Sequence, residues 1–255
     1  TIDAKKPFTQ EITLPETLVK LGEGAFAGQT SLRSVVLPYS LTAVNIGADA
    51  FNGCTALRSV TLPETLDAIA KGMFANCDML SEINLGNVAV FGAGAFENCF
   101  SLQNVDLSSA EEIGESAFAD VPVKGEIDAP ALVKVGAGAF ENSGEMTSPA
   151  LTAFNAPALR EIGESAFAGV TTLTEFVFSA QLESVGAMAF NGCKGIVSYY
   201  FESAEGQKTN DGKINEYATL YKGSLYVTAP NGRYILSSVP GGMTGALEIM
   251  EDTVK

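Results

Sequence analysis

The chain has 255 residues, 46% of them hydrophobic, with a formal net charge of −15 and a pI near 4.3. That acidity speaks against nucleic acid, whose binding draws on basic patches, and against docking on anionic lipid; no apolar run approaches the roughly 18 residues of a membrane span. The sequence holds no His, which removes Ser-His-Asp and Cys-His catalysis together with the commonest metal ligand.

Residues 1–7 form a polar lead, and Phe8 to Pro15 is expected to be the strand of an incomplete first repeat that caps an array. From there the chain repeats itself. Eight phenylalanines, Phe26, Phe51, Phe74, Phe96, Phe118, Phe140, Phe167 and Phe190, stand 25, 23, 22, 22, 22, 27 and 23 residues apart. The pattern around them is nearly identical in Ile113 to Asp120 and Ile162 to Gly169. A period in the twenties marks a solenoid, in which each coil buries its apolar face against its neighbours.

The columns of the repeat assign its parts. Five residues before each Phe stands an apolar residue, from Leu21 to Val185, and Gly follows it in seven of eight copies, Ala70 being the exception. The Gly column implies a tight bend or a close backbone approach. Two residues after the Phe stand Gly28, Gly53, Asn76, Asn98, Asp120, Asn142, Gly169 and Gly192, residue types that tolerate a left-handed backbone and stop helical turns. The Ala-Phe segment is therefore expected to be a helix of one or two turns. Upstream, segments such as Leu57 to Pro63 alternate like half-buried strands, each followed by a weaker strand-like piece such as Leu66 to Ile69.

Leu-x-x-Val-x-Leu-Pro, then Leu-x-x-Ile-Gly-x-x-Ala-Phe-x-x-Cys, resembles the BspA-like class of bacterial leucine-rich repeats over roughly residues 8–202. The expected fold is an α/β solenoid, a leucine-rich repeat with short parallel strands on a concave side and short helical turns, plus a C-terminal β-hairpin region. The resemblance further implies a secreted or surface-exposed bacterial protein of interaction or adhesion type. The chain begins at Thr1 rather than Met and ends on half a repeat, so it is expected to be part of a longer exported chain.

The regular repeats run to Phe118, slip at Val121 to Gly125, and lengthen at Ser143 to Pro149, which reads as a surface loop. Residues 1–202 form the array of about eight repeats, 203–245 an interruption, and 246–255 the start of a further repeat. Within the interruption, Leu225 to Leu236 reads as a β-hairpin turning at Asn231-Gly232. Cys54, Cys77, Cys99 and Cys193 share one column with Val121 and Val170, so they are expected to be free thiols buried like small apolar groups. Three of them stack in consecutive coils, which leaves a disulfide or a thiolate metal site as alternatives, although the close-spaced ligand pairs of zinc sites are absent.

Candidate binding residues come from the strand positions that flank the central Val and point away from the core. The middle of that face holds Glu82, Asn84, Asn104, Asp106, Glu126, Asp128, Asn155 and Glu175, and neither column contains Lys or Arg. Asp106 and Asp128 are expected on adjacent rungs about 4.8 Å apart. An acceptor array of this kind suits a basic protein segment of a host extracellular or bacterial surface partner; the competing reading is a merely solvated face. Without a set of nucleophile, base and orienter the chain is expected to be a non-catalytic binding module that needs no cofactor or resident metal. The alternative is a carbohydrate-binding or carbohydrate-active solenoid that uses the same carboxylates, as paired carboxylates near 5 Å would allow.

Overall fold

The structure is a computed structural model that describes residues 10–144, 148, 150–179, 183–186 and 188–193, and the strand backbones at 198–201, 218–221, 224–229, 232–236 and 248–250. The polar lead, most of the loop at 143–149 and the Asn231 turn position lie outside the described residues.

The array is a parallel β-solenoid, and each coil has three sides. The first side carries strands Glu11–Thr13, Ser34–Val36, Ser59–Thr61 and Glu82–Ile83, in parallel register from Glu11 to Ser34, Ser59 and Glu82. After a break it resumes with Lys124–Asp128, Ala150–Asn155, Glu175–Phe178 and Ser198–Phe201. The second side is a six-stranded parallel sheet of two-residue strands, from Ala68–Ile69 through Val90–Phe91, Glu112–Ile113, Lys134–Val135 and Glu161–Ile162 to Ser184–Val185. These are the weaker pieces seen in the sequence. The third side is the Ala-Phe wall.

That wall is not helical. The one helix among the described residues is a 3-10 turn at Ala43–Asn45. Backbone amides on the wall alternate between two uses. Those of Ala25 and Ala27 close turns onto Gly22 and Gly24, whereas those of Gly24, Phe26 and Gly28 donate to Ala48, Ala50 and Asn52 of the next coil. An α-helix would instead direct its amides, after the first four, to carbonyls four residues back in its own segment. Two left-handed residues per coil forbid it: one two positions after the Phe, as expected, and one two positions before it, which the sequence reading missed. The first column has positive φ at seven of eight positions, from Gly28 to Gly192. Asn142 is the exception; the lengthened repeat places its left-handed residue at Gly144 instead. The second column has positive φ at Gly24, Asp49, Gly72, Gly94, Ser116, Gly138, Ser165 and Met188. The expected short helices are thus replaced by a spiral of turns whose spare amides stitch coil to coil.

The Gly four residues before the Phe answers to a close approach. A Cβ on Gly114 would lie 2.8 Å from the amide nitrogen of Ala93 and 2.8 Å from the carbonyl of Phe91 in the preceding coil. At Gly22, in the first such bend of the chain, a Cβ would meet nothing within 4 Å.

The core is one continuous stack. The eight phenylalanine rings lie 5.2–5.5 Å apart with interplanar angles of 17° or less, and none is more than 4% exposed. Each buried ring contributes roughly 1.5–3 kcal/mol by leaving water, with aromatic contact added. All four cysteines are free and buried. Each thiol donates to the carbonyl of the spine Phe one coil earlier: Cys54 to Phe26 at 3.1 Å, Cys77 to Phe51 at 3.3 Å, Cys99 to Phe74 at 3.1 Å and Cys193 to Phe167 at 3.0 Å.

Beyond the array, the strand backbones at Ala218–Tyr221, Ser224–Ala229, Gly232–Leu236 and Glu248–Met250 form an antiparallel sheet, with Ala229 opposite Gly232. Residues 248–250, read in the sequence as part of a new repeat, pair here antiparallel with 232–236.

Candidate functional site

The first side of the coil carries the candidate residues, and its register follows the columns. Glu126 sits opposite Ala153, which sits opposite Glu175, and Asp128 sits opposite Asn155. Glu82, Asn84, Asn104, Asp106, Glu126 and Asp128 are exposed, and Asn155 is half-buried. The backbone of Glu175 falls in the same sheet.

The array is nevertheless not continuous. No strand forms at residues 102–107, so the face consists of two four-stranded blocks with Asn104 and Asp106 in the gap between them. Side chains at the gap bond to backbone and compete with the ladder. Asn84 uses both ends of its amide on the preceding rung: its Oδ1 accepts from the Leu62 amide at 2.8 Å and its Nδ2 donates to the Leu62 carbonyl at 3.0 Å. Asp106 folds onto its own turn, where its carboxylate accepts from the Ser108 amide at 3.0 Å. Its Oδ2 also stands where a Cβ on Gly86 would come within 2.8 Å. The Ser108 hydroxyl first, and its amide second, hold the Asp106 carboxyl below the usual carboxylate range.

Asp106 and Asp128 are therefore not paired as rungs of one ladder. Asp106 is tied to Ser108, and Asp128 looks to the following rung, where its Oδ1 accepts from the Asn155 Nδ2 at 2.8 Å. That bond fixes the Asn155 amide and leaves its Oδ1 buried without a partner among the described residues. Glu82, Glu126 and Asp128 remain the carboxylates presented from strands.

The second sheet treats charge differently. There Lys134 and Glu161 are cross-strand neighbours 3.8 Å apart, and Arg160 bonds Glu183 at 3.0 Å, all half-exposed. Basic residues are interleaved with acids on that side, and none of them falls in the two candidate columns. Among the described residues no group of His, Cys, Asp and Glu is arranged to hold a metal ion, and no helix is long and apolar enough to cross a membrane.

The family profile described as "BspA type Leucine rich repeat region" matches residues 5–124 and 108–208 in six copies. The chain belongs to the BspA-type leucine-rich repeat family. Among solved structures, the leucine-rich repeat protein TpLRR of T. pallidum is 25% identical, with 73% of this chain and 78% of that chain covered and a TM-score of 0.50. A leucine-rich repeat protein of Bacteroides ovatus is 20% identical over 75% of this chain and 63% of its own, with a TM-score of 0.40. The pneumococcal vaccine antigen PcpA is 20% identical over 76% of this chain and 62% of its own, with a TM-score of 0.39. The BspA-type chain thus spans less than two thirds of the latter two proteins. No curated protein matches it.

Proposed function

We propose that this BspA-type array is a non-catalytic interaction module of a secreted or surface-exposed bacterial protein, and that it binds a basic protein segment through the first side of the coil. The observation that carries this reading is the unequal distribution of charge. Glu82, Glu126 and Asp128 are exposed on hydrogen-bonded strands with no Lys or Arg in their columns, the exposed Lys124 at the start of the Glu126 strand bonding Gln103 at 3.3 Å, while the neighbouring sheet interleaves its charges into ion pairs. Carboxylates on a rigid sheet form a fixed acceptor array, and complementary charge raises both the encounter rate and the specificity for a basic partner. Membership in a leucine-rich repeat family is consistent with a protein-interaction role.

The candidate set is Glu82, Asn84, Asn104, Asp106, Glu126, Asp128, Asn155 and Glu175. Within it, Asn84 and Asp106 position the gap between the two blocks, and Glu82, Glu126 and Asp128 are the residues offered to the partner. The test is a pull-down from extracellular-matrix and bacterial-surface extracts with the native chain and with the E82Q/D106N/E126Q/D128N variant. Capture of a basic protein that is lost in the folded variant supports the reading. Equal capture by both proteins returns the face to a solvated surface, and turnover of a glycan that stops in D128N would favour the carbohydrate-active alternative.

A further inference from the structure

The third side of the coil carries a feature unrelated to the strand face. Three residues before the spine Phe, the first, third, fifth and seventh coils place Glu23, Lys71, Glu115 and Glu164, and the coils between them place Ala48, Ala93 and Ala137. One residue after the Phe the pattern inverts: Ala27, Ala75, Ala119 and Ala168 alternate with Asn52, Glu97 and Glu141. The true unit of the wall is therefore a pair of coils, with long polar side chains on alternating flanks. Between the flanks runs the left-handed column, and only at Gly72 and Gly94 does it hold glycine in two consecutive coils.

There the wall opens into a trough of about 280 Å³. Its floor is Gly72 and Gly94, with the methyl groups of Ala75 and Ala93 beside them and the Asp49 carboxylate standing over Gly72, where a Cβ would collide with its Oδ1. One rim is a chain of amides: Asn98 donates to Asn76 at 2.9 Å, Asn76 to Asn52 at 3.0 Å, and Asn52 to Asp49 at 2.9 Å. Each Asn spends one N–H along that chain and retains a second, so Asn52 and Asn76 are oriented donors before any ligand arrives. The facing flank offers the Lys71 ammonium and the Glu115 carboxylate, and Glu97 reaches across Gly94, whose absent Cβ would lie 3.3 Å from its Oε2.

We infer that this trough binds a short neutral saccharide of one or two rings. Amide donors, carboxylate acceptors and one ammonium group, set around a floor of methyl and methylene groups, match alternating hydroxyls around a C–H face. Hydroxyl groups both donate and accept, so a mixed rim suits them better than it suits an anion, which the carboxylates of Asp49, Glu97 and Glu115 repel, or an ammonium group, which has no acceptor for the N–H donors of Asn52 and Asn76. The volume lies just below the roughly 300–1,000 Å³ of small-molecule sites, which suits a ligand of one or two rings. This site is on a different side of each coil from the strand face and does not depend on the protein-binding reading.

The test is a titration of the whole chain with lactose, cellobiose and N,N′-diacetylchitobiose, followed by the NMR resonances of the Asn52 and Asn76 side-chain amides. At least one disaccharide is expected to shift these resonances saturably at millimolar concentration. Ala93→Lys should weaken that binding tenfold or more by filling the trough; the wall carries long side chains at this position in every other coil, so the fold should tolerate it. Glu97→Ala serves as a second variant, with the same loss expected, and the E82Q/E126Q/D128N strand-face variant should bind the sugar unchanged. No saturable shift with any of the three disaccharides overturns the inference. So does a shift that survives both trough variants, or one produced by spermidine and not by the sugars.

Discussion

Replacing Phe118 by Ala probes the spine most sharply. The ring is 1% exposed, stacks at 5.3 Å on both Phe96 and Phe140, and lies 5.2 Å from Phe91 at a tilt of 52°. Large-to-small changes of a buried Phe cost about 3–5 kcal/mol, from lost transfer energy and the cavity left behind. The upper half of that range is expected here, because two stacked contacts of roughly 0.5–1.5 kcal/mol each are lost as well. A solenoid adds stability through neighbour interfaces, so a gap at a central coil weakens the coupling of the coils on either side. Urea denaturation followed by far-UV circular dichroism should show either a midpoint shift of that size or the splitting of one transition into two. Phe118→Leu, which keeps much of the volume, should cost markedly less. A loss below about 1 kcal/mol for Phe118→Ala would refute the stacked spine as the main source of cohesion.

Gly114→Ala should destabilise the chain by about 1–3 kcal/mol, since its methyl would press on backbone of the preceding coil, while Gly22→Ala should be near neutral because nothing lies there; thermal melts of the two variants decide it. The thiols should resist a disulfide exchange reagent in the native state at pH 8 and react on unfolding. Burial pushes Cys54 up to about 11 and Cys99 and Cys193 up to about 12, from an ordinary value of 9.0. Because the folded state holds these protons more tightly, their contribution to stability is complete below pH 9 and is lost as pH rises from 9 through 11 to 12; a stability plateau extending past pH 11 would contradict this. Ser108→Ala should raise the Asp106 carboxyl pKa toward its ordinary range in a carbon-detected NMR titration. In the native chain that carboxylate's depressed pKa favours the fold at neutral pH, an advantage that fades as pH falls through its folded pKa.

The eight-fold Phe column, the Gly column and the thiol column were legible because each answers to packing, and packing repeats coil by coil. The strand register was legible for the same reason: Glu11, Ser34, Ser59 and Glu82 follow one another at the repeat interval and do pair. The turn wall was misread because a left-handed stop two residues after the Phe is shared by helices and by turn spirals. The second left-handed column distinguishes them, and its run of Gly24, Asp49, Gly72, Gly94 and Ser116 was visible in the sequence. The gap at residues 102–107 was hidden for a different reason. Leu102, Val105 and Leu107 keep the strand pattern, and the ladder yields there to side-chain bonds of Asn84 and Asp106 that no column records. The bond from the Ser108 amide to Asp106 is of the same kind.

The proposed basic-segment face is tested most directly by comparing two variants of equal charge. E82Q/E126Q/D128N removes three carboxylates from the strand face, and E23Q/E141Q/E164Q removes three exposed ones from the turn wall. Binding of a lysine-rich peptide is then measured by calorimetry at about 0.15 M salt, where screening acts beyond roughly 8 Å. A local site predicts that the strand-face variant weakens binding at least tenfold while the turn-wall variant stays within twofold of the native chain. Equal weakening in both would mean that the peptide reads only the net charge of −15, and the strand face would have no claim to be the binding surface.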